Sequence, residues 1–343
     1  MNSRLRGALV RQLRWACALL FLLAAPALAP AQAPSESEVN LKGAIDFRVH
    51  SGPDSDNRTA DADDVARIGR QMGMRALVLD NHYESTAALA YMVQKEVPGI
   101  EVFGSIALNL PVGGINLEAV KRMALMKGGR GRVIFLPDFD SENFRNVLHQ
   151  TGAAVPIYRD GHLLPDVLAL LDFIAQHHEL ILETGDNSPE EVMAAVHEAH
   201  QRGVKLVIKN AMGTFTHLTV PQMQEAAREG AYLEFAYNAA YGEHPQRSIA
   251  EFADGMRQVG AKFCILGSDF GSVHKTPTPL HPQALLEFMQ ALHKQGLSVD
   301  DINLMAKTNP ARLLGLEPEL CYFDHTIRVE HYRPGLSGAQ PKD

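Results

Sequence analysis

Acidic, basic and imidazole side chains alternate with apolar ones in one short segment, Asp46-Phe47-Arg48-Val49-His50. In a β-strand, Asp46, Arg48 and His50 point to the same side, because successive side chains alternate between the two faces. Unpaired charges inside a protein are costly, so such a polar face needs partners. Carboxylate, guanidinium and imidazole groups held together can bind a ligand, move protons or hold a metal ion. The segment predicts either a self-paired ion network or a functional pocket.

Polar residues also follow the other apolar runs of strand length. They are Asp80 and His82, Asn109, Asp138, Glu183 and Asp186, Lys209 and Asn210, Glu234, and Asp269. In a parallel barrel the carboxyl ends of the strands meet at one end, where active sites are built. Because nearly every run contributes a polar end, the pattern favours a pocket over a self-paired network.

Apolar runs alternate with helical patterns through most of the chain. Near-continuous apolar character is typical of strands buried on both faces of a parallel sheet. Eight such runs predict a single (β/α)8 TIM-type barrel, with a doubly wound open sheet as the alternative. Turn residues predict a hairpin around Arg159-Asp160-Gly161. The predicted strands are Ala44–His50, Arg75–Asp80, Val102–Leu108, Arg132–Leu136, Leu180–Glu183, Val204–Ile208, Tyr232–Phe235 and Phe263–Leu266, and predicted helices include Asp61–Met72, Pro189–Gln201, Pro245–Val259 and Pro282–His293.

The N-terminal segment predicts export. Arg4 to Arg14 form a basic region, Ala16 to Leu28 are apolar, and Ala29-Pro30-Ala31 and Ala31-Gln32-Ala33 both fit a signal peptidase site. We assign residues 1–33 to a signal peptide, 34–316 to the barrel and 317–343 to a polar, partly disordered tail. An uncleaved anchor is the alternative, and the mature protein is expected to be periplasmic or secreted, without membrane attachment.

Composition narrows the class of ligand. The 343 residues include 32 Lys and Arg against 40 Asp and Glu, a formal net charge of −8. Removing the four basic residues of the N-terminal segment leaves a more acidic body. Nucleic acids and anionic membranes require a basic face, so we expect a small molecule as substrate or ligand and no nucleic acid partner. With 3 Cys in the chain, no disulfide framework is expected.

Several of these segments resemble the amidohydrolase superfamily of barrel metal hydrolases, over about residues 44–316. Within the superfamily the chain is most similar to an uncharacterised branch in which several metal-ligand positions are substituted. The segments that carry the resemblance are Asp46 to His50, Pro53-Asp54, Asn81-His82, Val112-Gly113-Gly114, Gly267-Ser268-Asp269 and Thr308 to Leu316.

The resemblance implies a divalent metal that lowers the pKa of bound water, with an aspartate taking the proton. His50 matches the second histidine of the family's first-strand pair, and Asp269 matches the aspartate after the eighth strand. Arg48 replaces the first histidine of the pair. Asp186 and Asn210 stand where histidines follow the fifth and sixth strands. Arginine offers no lone pair to a metal, so these substitutions bear directly on function.

The sequence leaves two interpretations of the site open. In the first, one Zn, Mn or Mg ion activates water for attack on an amide, ester or lactone-type bond, and Asp269 is the general base. In the second, a metal-free and catalytically altered or inactive barrel binds an anionic small molecule through Arg48 and Lys209. Across both, we assign catalysis to Asp269, His82 and Lys209, substrate contacts to Arg48, Asn109, Glu234 and Asn210, and metal ligation to His50, Asp186, Asp269 and Glu183.

Overall fold

A computed structural model describes residues 38–243, 245–273 and 278–316. The predicted signal peptide and the predicted C-terminal tail lie outside the described residues. Among the helices of the described part, none is long and apolar enough to cross a membrane.

Eight parallel strands form one sheet in which each strand lies beside its predecessor. The sheet is closed at its edges by backbone hydrogen bonds from Asp269 N to the Arg48 carbonyl (3.1 Å) and from His50 N to the Phe270 carbonyl (3.2 Å). This confirms the predicted (β/α)8 barrel over the open sheet. The strands are β1 Ile45–His50, β2 Ala76–Asp80, β3 Glu101–Ala107, β4 Gly131–Phe135, β7 Ile181–Glu183, β8 Leu206–Ile208, β9 Tyr232–Ala236 and β10 Cys264–Gly267, and the predicted hairpin is the antiparallel pair β5 Tyr158–Arg159 and β6 His162–Leu163.

Helices cover the outside of the barrel, and several begin at strong sequence signals. Ser188, Thr219 and Ser248 each form a capping box, in which the side chains of the cap and of the third helical residue bond to each other's backbone N–H groups. The helix predicted from Pro245 therefore begins later, after Ser248. The helices are Ala62–Gln71, Ala87–Glu96, Leu117–Ala124, Glu142–Val147, Pro165–Ala175, Pro189–Arg202, Val220–Arg228, Ile249–Val259, His281–Lys294, Val299–Asn303 and Asn309–Leu314, with a π-helical segment over Leu304–Thr308.

Apolar residues form one core between the strands and the helices and a second inside the barrel. The inner core contains Ile45, Phe47 and Phe135, together with Leu313 and Leu314 of the last helix. These residues fill the end of the barrel interior that is covered by the last helix, Asn309–Leu314. The polar groups that follow the strands therefore lie at the opposite, carboxyl-terminal mouth.

The alternation predicted for β1 is wrong at Asp46. Ile45 and Phe47 belong to the inner core, whereas Val49 belongs to the outer core. The register of β1 on β2 shifts between Asp46 and Val49. An irregularity of this kind changes which way later side chains point. Asp46 therefore does not share a side with Arg48.

Candidate functional site

Arg48 lies at the centre of a buried ion cluster, which we define as Arg48, Glu183 and Glu234. All three residues are 0% exposed. The Arg48 Nη2 group donates to Glu183 Oε1 at 2.5 Å and also to Glu234 Oε2. Burial raises the pKa of Glu183 well above its usual range, and the neighbouring charge of Glu234 adds to this, while Arg48 opposes it. The guanidinium also lies 5.5 Å from the ring centre of Phe135. The cluster thus joins β1, β7 and β9 inside the barrel.

Asp46 lies next to this cluster and ties β1 to the end of β10. Its Oδ1 atom accepts backbone hydrogen bonds from Ser268 (2.8 Å) and Arg48 (3.3 Å). Burial raises the pKa of Asp46 to about 7, although the Ser268 hydrogen bonds lower it. Asp46 is therefore a buried carboxyl group that ionises near neutral pH.

A second group of charges, the mouth cluster, consists of His82, Asp138, Asp186 and Lys209. Asp138 Oδ2 accepts from His82 Nδ1 at 2.8 Å and from Lys209 Nζ at 3.3 Å. Lys209 Nζ also lies 3.2 Å from Asp186 Oδ1. Because a carboxylate only accepts, His82 carries its proton on Nδ1, and in the neutral ring Nε2 is a free base. The arrangement pairs a histidine and an ammonium group with one carboxylate.

The pKa values of the mouth cluster follow from this pairing. Burial opposes ionisation of Asp138, but Lys209 and His82 outweigh it and hold the pKa of Asp138 well below its usual range. Burial lowers the pKa of Lys209, but Asp186 and Asp138 raise it above its ordinary value. Burial alone would lower the pKa of His82. The charge of Asp138 and its hydrogen bond outweigh this effect, so the net pKa of His82 is raised. Lys209 is thus fixed as an ammonium ion.

Asn109 positions Asp138 from the end of β3. Its Nδ2 group donates to Asp138 Oδ1 at 2.5 Å and to the His82 carbonyl at 2.9 Å. Its Oδ1 atom accepts from the backbone N–H groups of Asp138 and Asp140. All the hydrogen-bonding capacity of this amide is directed to the protein around the His82–Asp138 pair.

His50 and Asp269 form a further pair at the mouth. His50 Nε2 lies 3.1 Å from Asp269 Oδ1 and 3.8 Å from Asp80 Oδ2. Burial raises the pKa of Asp269, but the His50 hydrogen bond and the charge of Arg48 more than offset it, so the net pKa is lowered. The turn that carries Asp269 requires glycine at position 271, where a Cβ atom would lie 1.7 Å from the His50 carbonyl oxygen. The His50 and His82 rings are 4.8 Å apart.

A cavity of about 140 Å³ opens between these groups at the mouth of the barrel. Phe139 and Phe215 line part of it, and polar residues at strand ends line another part. Arg48, Asn109, Glu183 and Glu234 are buried and are not in its lining. The polar strand-end residues in the lining are His50, His82, Asp186, Lys209, Asn210 and Asp269.

These residues do not fit the metal site that the family resemblance implies. The predicted ligands separate: His50 contacts Asp269, whereas Asp186 pairs with Lys209 and Glu183 pairs with Arg48. The fixed positive charges of Arg48 and Lys209 repel a divalent ion beside these carboxylates. Within the described ranges, the group that brings three ligating side chains within 4.8 Å of one another is His197, Glu225 and Glu229, outside the barrel.

Three contributors to the site were not assigned a role from the sequence. Asp138 follows β4, and its position at a strand end was the available signal. Phe139 and Phe215 lie in loops and carry no motif, since an aromatic residue in a loop has no characteristic spacing. Asn210 does line the cavity as its strand-end position suggested, and its buried Oδ1 atom has no hydrogen-bond partner among the described residues.

The family described as "Family of unknown function (DUF6282)" matches residues 43–234. The chain belongs to this family. A search of curated proteins finds no match to it.

Solved structures of low sequence identity share the fold. A mutant PTE-like lactonase from Deinococcus radiodurans is 14% identical, with a TM-score of 0.54 over 82% of this chain and 98% of its own. An organophosphorus hydrolase from the same organism is 14% identical, with a TM-score of 0.53 over 82% and 94% of the two chains. An Agrobacterium tumefaciens protein in its apo form is 12% identical, with a TM-score of 0.51 over 81% and 97%.

Proposed function

We propose that this protein is a hydrolase that cleaves a small ester or lactone at the barrel mouth. The observation that carries the proposal is the contact of His82 and Lys209 with one carboxylate, Asp138, at the edge of the same cavity. The fold shared with a lactonase and an organophosphorus hydrolase supports the reaction class by analogy.

The chain's own residues account for the proton transfers. Asp138 holds the His82 ring with Nδ1–H toward it, so Nε2 takes the proton of a water molecule whose oxygen attacks the carbonyl carbon. The Lys209 ammonium donates a hydrogen bond to the oxygen that becomes negative in the transition state. The bond from the carbonyl carbon to the leaving oxygen then breaks, and His82 returns the proton to that oxygen. His82 acts as a base only when it is neutral, so activity should increase with pH. Because the pKa of His82 is raised, the midpoint of this increase should lie above the ordinary histidine pKa of about 6.5.

Asp138→Asn and Asp186→Asn form a matched pair of variants that tests this assignment. Both carboxylates contact Lys209, but only Asp138 also contacts His82. We expect Asp138→Asn to lower kcat by about 100-fold or more, since it removes the acceptor that orients the base, and Asp186→Asn to lower it less than about fivefold. The measurement is steady-state hydrolysis of a panel of lactones and esters by chelator-treated enzyme.

The same assay separates this mechanism from metal-activated water. A metal-dependent enzyme would lose activity on chelation and regain it with Zn or Mn, and Asp186→Asn would then be as damaging as Asp138→Asn. That result would return Asp186, with His50 and Asp269, to the role of metal ligand and overturn the assignment to His82.

The alternative of an inactive barrel that binds an anion through Arg48 and Lys209 has less support. Arg48 is committed to Glu183 and Glu234 and does not line the cavity. Lys209 already forms ion pairs with two carboxylates, Asp138 and Asp186. An anionic ligand would therefore face more negative than positive charge at the mouth.

Export through the signal peptide of residues 1–33 is part of the proposal. Mass spectrometry of the mature N-terminus after expression in a bacterium tests it. Cleavage before Gln32 or before Pro34, after one of the two predicted signal peptidase sites, is the expected result, and retention of the basic segment would contradict it.

A further inference from the structure

Three phenylalanine rings form an aromatic wall beside His82, which we define as Phe139, Phe144 and Phe215. The Phe139 ring stacks on His82 with centres 3.8 Å apart and planes inclined by 22°. Phe144 lies 5.2 Å from Phe139 and 4.8 Å from Phe215, measured between ring centres. Phe139 and Phe215 both line the cavity. An apolar surface thus begins directly at the ring that we assign as the base.

Hydrogen bonds from one helix fix this wall in place. Asn143 Nδ2 donates to the carbonyl oxygens of Asp186 (3.1 Å) and Phe215 (3.0 Å). Ser141 Oγ donates to the same Asp186 carbonyl at 2.7 Å. The loops after β4, β7 and β8 are therefore tied together, which fixes the backbone at Phe215 before any ligand arrives. Preformed aromatic surface reduces the entropy lost on binding.

The size of the cavity limits what the wall can receive. Its volume is about 140 Å³. An engineered apolar cavity of about 150 Å³ in another protein accommodates benzene. One six-membered aromatic ring therefore fits. Aromatic rings pair favourably when offset-stacked or edge-to-face, beyond the gain from buried area.

We propose that the substrate carries one aromatic ring, which packs on Phe139 and Phe215 while its ester or lactone carbonyl lies near Lys209. The inference rests on the proposed hydrolase function and adds the substrate class. Hydrolysis of such an ester adds water across the bond from the acyl carbon to the leaving oxygen, giving a carboxylic acid and an alcohol or phenol.

Binding of non-hydrolysable probes tests the ring site without requiring catalysis. Benzyl alcohol and cyclohexylmethanol differ in aromaticity at nearly the same size. We expect benzyl alcohol to bind at least about fivefold more tightly than cyclohexylmethanol, measured by ligand-observed NMR titration. Equal affinities for the two alcohols would overturn the proposal.

Phenylalanine-to-leucine variants locate the binding site. Phe215→Leu and Phe139→Leu should each weaken benzyl alcohol binding at least about fivefold, because the aliphatic side chain keeps apolar area but loses the ring pairing. Phe173→Leu is the matched control, since Phe173 packs against His177 on a helix outside the barrel. Loss of affinity in the control but not in Phe215→Leu or Phe139→Leu would contradict the assignment.

A kinetic comparison separates failure of this inference from failure of the proposed function. Benzyl acetate should be hydrolysed with a kcat/KM at least about tenfold above that of cyclohexylmethyl acetate. Ring-selective binding without hydrolysis of either ester keeps the ring site and rejects hydrolysis of these esters. Equal hydrolysis of both esters keeps the hydrolase and rejects the ring preference.

Discussion

The buried ion cluster and the mouth cluster use the same arrangement of charge, one cation between two carboxylates. Arg48 contacts Glu183 and Glu234, and Lys209 contacts Asp138 and Asp186. The two clusters differ in the other groups that surround the cation. Arg48 is sealed inside the barrel, whereas Lys209 lines the cavity and shares Asp138 with His82. Charge alone therefore does not show which cluster could act on a ligand. The mouth cluster differs from the buried ion cluster because it reaches the cavity and includes a titratable histidine.

The choice of cation in each cluster matches its position. A guanidinium presents several N–H groups and remains charged when buried, which suits Arg48 between two enclosed carboxylates. An ammonium group is a compact point charge whose donors can turn toward a ligand, which suits Lys209 at the cavity. The structure thus places Arg48 inside the barrel and Lys209 at the cavity, where we propose that it contacts the ligand.

Removing the inner cation should have the largest effect on stability. Arg48→Met leaves Glu183 and Glu234 buried without their partner, and we expect the free energy of unfolding to fall by about 3 to 5 kcal/mol. Urea denaturation followed by circular dichroism measures this. A variant that also carries Glu183→Gln and Glu234→Gln should recover part of the loss, because it replaces the two unpaired carboxyl groups by neutral amides.

Arg67→Met is the control for this prediction. Arg67 contacts three carboxylates, Asp63, Asp64 and Glu96, but at the protein surface. Exposed ion pairs contribute little, so we expect almost no change in stability. A loss in Arg67→Met equal to that in Arg48→Met would show that burial does not distinguish the clusters.

Ionisation of Asp46 should make the stability of the inner region depend on pH. Its folded-state pKa is raised to about 7, so its contribution to stability is complete below the unfolded pKa and is lost as pH rises through about 7. Relative to Asp46→Asn, wild type should lose about 1.4 kcal/mol per pH unit, or somewhat less, between about pH 4 and about pH 7. Urea titrations across this range measure the slope. Asp166→Asn, at an exposed helix start, is the control, and stability curves of Asp46→Asn that run parallel to wild type would refute the assignment.

Removing the cation at the mouth should have a smaller effect on stability than removing the inner cation. In Lys209→Met, Asp138 keeps its hydrogen bonds to His82 and Asn109, and Asp186 borders the cavity. We expect a loss of about 1 to 2 kcal/mol in urea denaturation, together with a large loss of hydrolysis. A loss as large as that of Arg48→Met would mean that Lys209 mainly supports the fold.

The sequence predicts the barrel well because apolar runs determine where strands lie. All eight predicted strands agree with the structure to within two residues at each end. The helix signal at Ser188 is equally local and agrees as well. Cys264, in the apolar run of β10, is a buried free thiol.

The site is less predictable because its partners are far apart in the chain. Strand ends indicated that Lys209 and Asp186 face the mouth, but not that they pair with each other. The register shift in β1 reverses the side on which Asp46 lies, and no residue in the segment signals it. The aromatic wall depends on three loops meeting, which local patterns do not encode.

The three capping boxes have a consequence for how such a barrel can change over evolutionary time. The boxes that begin at Ser188, Thr219 and Ser248 each close within a single turn, by hydrogen bonds between residues three positions apart. The start of each of these helices is therefore encoded locally and does not depend on the sequence of the preceding loop. The loop that carries Asn210 and Phe215 ends at one of these boxes. New binding preferences can arise there by exchange of loop residues while the surrounding scaffold continues to fold as before.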